Sequence, residues 1–214
     1  MIAVKRGDLM ERRDNYAIQA AQAKEAFLRF DQEALCRKLG LASDETYLYA
    51  RMLSRTYKIH RTTAAFQRLE GDVWVSADTF EEVMTLLDLI CDSREDRKIS
   101  GRWKNMLAFG LLFHRNLLDT AVDPVAERFA RDPEAFARAC EALGGERLSQ
   151  GDVGYAIELF DGLKIGIQLW LGDEEFPSAL KYMWDENALM YIKYETMYFA
   201  RGLLLRRITE EMGK

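Results

Sequence analysis

The segment from Val153 to Asp185 leaves the chain little choice of local structure. Two runs of alternating apolar residues meet at Asp161-Gly162 and lead directly into Gly172-Asp173-Glu174-Glu175-Phe176-Pro177. Leu163, Ile165, Ile167, Leu169 and Leu171 recur with period two, and Lys164, Gly166, Gln168 and Trp170 fall on the other side, as in a half-buried strand. Tyr155, Ile157 and Leu159 repeat the pattern in the partner strand. Asp-Gly tolerates positive φ at both positions, so a two-residue type I′ turn is expected, its twist matching that of the strands. Three successive carboxylates then precede Phe176 and Pro177, a crowding of like charge that needs water, cations or backbone donors around it.

Elsewhere helices and strands come in runs. Asp8 to Phe30 predicts a helix with Tyr16, Ala20, Ala23 and Phe27 on one stripe. A short second helix follows, capped by Asp31 and closed by Gly40. Glu45–Met52 and Arg55–Arg61 are expected as strands around Leu53-Ser54, and Phe66–Leu69 with Val73–Val75 as a second hairpin about Gly71-Asp72. Thr79 and Glu82 form a capping box for a helix that turns Val83, Leu86, Leu87 and Ile90 inward. The mixed-sign run Asp92 to Lys98 is expected as an exposed, mobile loop. Trp103 to Asn116 is apolar enough for a buried helix, and Pro124 to Arg131 continues helical. Asp132-Pro133-Glu134 opens a further helix that Gly144-Gly145 ends. A third strand, Leu180–Trp184, and a closing helix from Leu189 or Tyr194 to Arg207 complete the order. Such an order predicts an α+β fold of mainly antiparallel hairpins with flanking helices. The expected organisation is an N-terminal helix over residues 1–30 and one compact α+β domain over 31–214, any internal boundary falling at 92–100.

Bulk properties bound the function. The chain has 214 residues, 49% of them hydrophobic and 30% charged, which is ordinary for a soluble globular protein with a real core. A net charge of -5 argues against a general nucleic-acid binder. The N-terminal residues lack the pattern of a secretory signal, and the longest apolar run, Met106 to Phe113, is too short to cross a bilayer. A cytoplasmic protein with no nucleic-acid or membrane partner is therefore expected. Cys36, Cys91 and Cys140 are odd in number and far apart, as reduced thiols would be, and no cysteine cluster for an iron-sulfur centre is present.

Several motifs together resemble one known family. They are Gly101-Arg102-Trp103, Asp132-Pro133-Glu134-Ala135-Phe136 leading to Leu143-Gly144-Gly145, and Leu171-Gly172-Asp173-Glu174-Glu175-Phe176-Pro177 followed by Trp184-Asp185. In these the chain is similar to the prokaryotic family catalogued as domain of unknown function 3786, over about residues 25 to 207. The resemblance implies no settled activity. The chain departs from the family's pattern at Ser178, where a second proline is usual, and at Asn105-Met106-Leu107, where relatives are more polar or richer in glycine.

Candidate functional residues gather near the C-terminal strands. Asp173, Glu174 and Glu175, with Asp185 and Glu186 after the next strand, are the minimal equipment for a hard cation or for acid-base work if they converge at one end of the sheet. Asp173 bonding turn amides, with Phe176 and Pro177 anchoring the loop on the core, accounts for the same residues structurally. Trp170, Tyr182 and Trp184, with Tyr191, Met183 and Met190, form an aromatic and thioether concentration of the kind that lines pockets for flat ligands or fills cores. His60 and His114 stand without a supporting motif, each an isolated haem or corrinoid ligand at most. Trp170, Asp173, Glu174, Glu175, Tyr182, Trp184 and Asp185 are thus the ligand-site candidates, with no metal set and no identifiable cofactor. The sequence favours a non-catalytic accessory protein that binds a small ligand or a protein partner. A carboxylate-dependent or metal-assisted enzyme and an oligomer-forming structural protein are the alternatives.

Overall fold

A computed structural model describes residues 6–109 and 123–214, with side chains from residue 15 onward. Helix α1 (Arg6–Phe27) and α2 (Gln32–Leu39) lead into strands β1 (Tyr47–Met52), β2 (Arg55–His60), β3 (Phe66–Glu70) and β4 (Val73–Ser76). Helix α3 (Phe80–Leu87) runs into a π-turn over Asp88–Asp92, and β5 (Trp103–Asn105) follows. Then come α4 (Pro124–Ala130), α5 (Pro133–Ala142), β6 (Glu146–Leu148), β7 (Val153–Phe160), β8 (Leu163–Trp170), β9 (Ala179–Asp185) and α6 (Tyr194–Met212). The strands form two antiparallel sheets, a meander β1-β2-β3-β4 and a five-stranded sheet ordered β5-β9-β8-β7-β6. The fold is α+β, as the order of elements predicts.

Most of the local expectations hold for the reasons given. Asp161 and Gly162 have φ of 49° and 80°, and Phe160 faces Leu163 across the two-residue turn. Asp31 accepts the Ala34 amide and Asp132 the Ala135 amide, so both helices start where an acid can cap them. The capping box at α3 is half as expected. Thr79 accepts the Glu82 amide, but the Glu82 carboxylate does not take the cap's backbone amide: it accepts the Thr79 and Tyr57 hydroxyls and the Arg68 guanidinium. It is a buried acid joining α3 to β2 and β3.

The turn at Leu53-Ser54 has positive φ at both residues, 48° and 60°, which costs a non-glycine residue roughly 1 kcal/mol each. Docking offsets that cost. The Leu53 amide donates to the Leu159 carbonyl at 3.1 Å and the Ser54 hydroxyl to the Leu143 carbonyl at 2.7 Å, while the Leu53 side chain is buried. Leu159 lies where the β7-β8 register shifts, so a bulge frees its carbonyl to join the two sheets. One apolar core includes side chains from both sheets and all of α2 to α6.

Three expectations need correction. Trp103 does not open a helix: Trp103–Asn105 pairs with β9 as an edge strand, and Asn105 then caps a 3-10 turn over Met106–Ala108. The rest of the expected Trp103–Asn116 helix, with His114, lies outside the described residues. The Asp92–Lys98 run is tied down more than its charge pattern implies. Ser93 is buried, the Arg94 amide donates to the Met190 carbonyl, and Arg97 bonds Asp161 and the Lys38 carbonyl. Finally, β7 and β8 are buried on both faces rather than one. Helices α4 to α6 cover the Ile165, Ile167 and Leu169 side, with Tyr155 bonding Glu141 and the Arg201 guanidinium lying over Tyr182. Gly154, Ala156, Gly166 and Gln168 are buried on the opposite side, where loop residues and Trp103 lie against them.

Glu82 gives a direct test of the α3 junction. Glu82→Ala strands the buried Tyr57 hydroxyl and removes one partner of Arg68, and is expected to lower unfolding free energy in urea by about 2 to 3 kcal/mol. Glu82→Gln, which keeps an acceptor, is expected to cost about half as much.

Candidate functional site

The outer face of the five-stranded sheet is paved with small residues. Gly154 faces Gln168 and Ala156 faces Gly166 across β7 and β8, and Gly166 faces Met183 across β8 and β9. The absence of side chains lets other groups come close. A Cβ on Gly154 would meet the Gln150 carbonyl oxygen at 2.4 Å, and one on Gly166 would meet the Trp103 ring at 3.3 Å. The Ser149–Asp152 loop therefore folds down on one side while the Trp103 indole reaches over the floor from the other. Between them lies a groove of about 700 Å³, lined by Trp103, Leu148, Gln168, Trp170, Met183 and that loop.

Trp103 and Trp170 are each 38% exposed at the two ends of the groove. Midway between Gly166 and Trp170, Gln168 is only 6% exposed. No side-chain hydrogen bond reaches its carboxamide among the described residues. Charged side chains near the groove have neighbours that leave part of their bonding capacity free. The Asp152 carboxylate accepts the Leu171 amide at 2.8 Å, Lys181 sits 4.6 Å from the centre of the Trp170 ring, and Lys164 pairs with Glu146 at 2.7 Å.

The candidates singled out from the sequence divide between three places. Trp170 lines the groove. Tyr182 and Trp184 share the opposite, core-facing side of β9 with Leu180, and Trp184 is fully buried, so the two tryptophans of the last strands do not form one exposed patch. Asp173, Glu174 and Glu175 are exposed in the β8-β9 loop at the Trp170 end. Asp173 accepts the amides of Glu175 and Phe176, both at 2.8 Å, and those bonds hold its carboxyl below the usual range. Phe176 does not anchor this loop: it is 67% exposed. The anchors are Ser178, which receives the Gly172 amide on its hydroxyl and donates its own amide to Glu127, and Asp152 through Leu171.

Asp185 ends β9, six residues beyond Ala179. At about 3.3 Å per residue that places it roughly 20 Å from the acidic loop, so the two carboxylate groups sit at opposite ends of the strand and not in one cleft. Its oxygens are engaged by the Ser100, Gly101 and Asn187 amides and the Ser100 hydroxyl. Burial alone would raise its pKa, but these donors outweigh burial and hold it below the ordinary carboxylate value. Glu186 pairs with Arg102 alongside. Among the described residues no group of three or more His, Cys, Asp or Glu side chains is placed to hold a metal ion. His60 bonds locally at Thr62, and the cysteines are free thiols, with Cys91 pushed up to about 12 by burial.

Trp103, Gln168 and the Ser149–Asp152 loop were not among the sequence candidates, whereas Met183 was named with the aromatic residues of the last strands. The signal available was glycine in strand interiors, at Gly154 and Gly166, which marks close approach of another group.

Fold and groove together define an α+β protein whose open antiparallel sheet carries an aromatic-ended groove on the face away from its helices. The chain belongs to the family described as Domain of unknown function (DUF3786), whose model matches residues 31–207. No curated protein and no solved structure matches it. No helix among the described residues is long and apolar enough to cross a membrane.

Asp185 supplies a pH-dependent test of its bonding. A depressed folded pKa adds stability that is present above the unfolded value of about 4 and is lost as pH falls through the lower folded one. Asp185→Asn is expected to destabilise by about 2 kcal/mol at pH 7, with the gap to wild type narrowing in urea titrations as pH falls below about 4.

Proposed function

We propose that this chain is a non-catalytic accessory protein that binds a small ligand on the outer face of its five-stranded sheet, with the β8-β9 acidic loop forming one rim. The supporting observation is the groove itself, of about 700 Å³, on whose floor the Gln168 carboxamide has no side-chain hydrogen bond among the described residues and stays open to whatever fills the space. The half-exposed indoles of Trp103 and Trp170 at either end provide the flat apolar contacts that such ligands use. The wide separation of Asp185 from Asp173, Glu174 and Glu175 leaves the carboxylate-enzyme alternative without a shared cleft.

Differential scanning fluorimetry against nucleobases, flavins, nicotinamides, amino acids and indoles tests this reading. At least one class is expected to raise the melting temperature by 2 °C or more, and Trp103→Ala is expected to abolish that rise while the unliganded melting temperature falls only slightly. No shift from any class, together with an apo mass by native mass spectrometry of the purified protein, would defeat the proposal.

A further inference from the structure

A second cavity, sharing no residue with the groove, lies between α1, α3 and the start of α6. It holds about 310 Å³, the space of about ten water molecules at roughly 30 Å³ each. Ala26 and Phe27 of α1, Phe30 just beyond it, and Met84 and Leu87 of α3 give it apolar walls. Its charged lining comes from Asp88 and Asp92, the two ends of the π-turn, and from Lys193. We propose that this pocket binds a small amphipathic amine, its ammonium against Asp88 and Asp92 and its apolar body against Phe27, Phe30, Met84 and Leu87.

The charges of the lining do not balance. Two carboxylates share one lysine, whose ammonium lies 3.1 Å from Asp88 Oδ1 and 2.6 Å from Asp92 Oδ2. One further positive charge is needed to pair both acids. Asp88 shows where it is needed most. This residue is only 5% exposed, and the fold uses its Oδ2, which accepts the Lys193 amide at 2.8 Å where α6 begins. Its Oδ1 is buried and makes no hydrogen bond. Burial holds the Asp88 carboxyl above the usual range in spite of the Lys193 and Thr196 donors, and a second cation beside it offsets that cost. The two acids come from a π-turn, a rare geometry that recurs at functional sites.

Other occupants fit less well. A divalent metal ion takes six or more oxygen ligands, whereas these two carboxylates stand among phenyl and thioether groups. An anion would meet two acids, and a neutral apolar molecule would leave Asp88 without its second cation. Cys91 also lines the pocket, but burial pushes its thiol up to about 12, so it stays protonated and adds no charge. An ammonium on a short apolar body supplies the missing charge, and its carbon chain covers the phenyl rings.

Isothermal titration calorimetry of the full chain with hexylamine, hexanol and hexanoate, and with phenethylamine, phenethyl alcohol and phenylacetate, tests the proposal. In each set the amine is expected to bind at least about tenfold more tightly than the alcohol, and the carboxylate not at all. Ala26→Phe places a ring in the pocket from an exposed helix position and is expected to remove amine binding while the melting temperature holds. Asp92→Asn keeps the Asp88 bond to α6 and is expected to weaken the amines and leave the alcohols unchanged. Trp103→Ala, in the groove, is expected to leave amine affinity as it is, so the two ligand sites stand or fall separately. Equal affinity of amine and alcohol in both sets, or no binding of either amine, overturns the proposal without any variant. Amine binding that survives Ala26→Phe, ignores Asp92→Asn or is lost in Trp103→Ala overturns it as well.

Discussion

The structure depends on hiding both faces of the β7-β8 hairpin. A central hairpin in a five-stranded sheet usually has a helix on one side and water on the other, or helices on both. Here α4, α5 and α6 cover the inner face, and on the outer face a loop and an indole lie directly on Gly154 and Gly166. Close approach demands small residues at Gly154, Ala156 and Gly166, and it leaves Gln168 sunk between taller neighbours. The groove is the gap that remains when thin cover replaces a helix. Joining this sheet to the four-stranded meander then falls to the bulge at Leu159, whose carbonyl meets the strained Leu53-Ser54 turn.

What the sequence reveals follows from how local the cause is. The Asp161-Gly162 turn, the Asp31 and Asp132 caps and the alternation of Ile165, Ile167 and Leu169 are set by neighbours a few residues away, and each is found where the residues place it. Strand parity also separates Trp170 from Trp184, because residues of β9 at even numbers pair with the core-facing residues of β8. The acidic residues misled through strand length. Asp185 follows the acidic loop closely in sequence, yet the strand between them carries it to the far end of the sheet. Non-local causes were out of reach altogether. Trp103 meets Gly166 only through a three-residue edge strand, whose pairing with β9 has no periodicity of its own, and β6 is equally short.

Polar groups in this protein fall into two energetic kinds. Asp185, Glu82 and Asp173 are surrounded by donors from their own chain, so each is stabilised in place and accounts for a join or a turn. Gln168 is of the other kind: its carboxamide has no side-chain partner among the described residues and opens to the groove. Family membership gives no activity against which to weigh that contrast, so the chemistry of one carboxamide and two indoles carries the functional reading.

Both outermost strands of the larger sheet, β5 and β6, are three residues long. Such short borders offer little ladder for another chain to extend, which guards against edge-to-edge association and makes strand addition a poor route to a partner. What this sheet leaves open to its surroundings is therefore its broad side, where side chains at positions 103, 168, 170 and 183 stand over main chain already committed to the β7, β8 and β9 pairings.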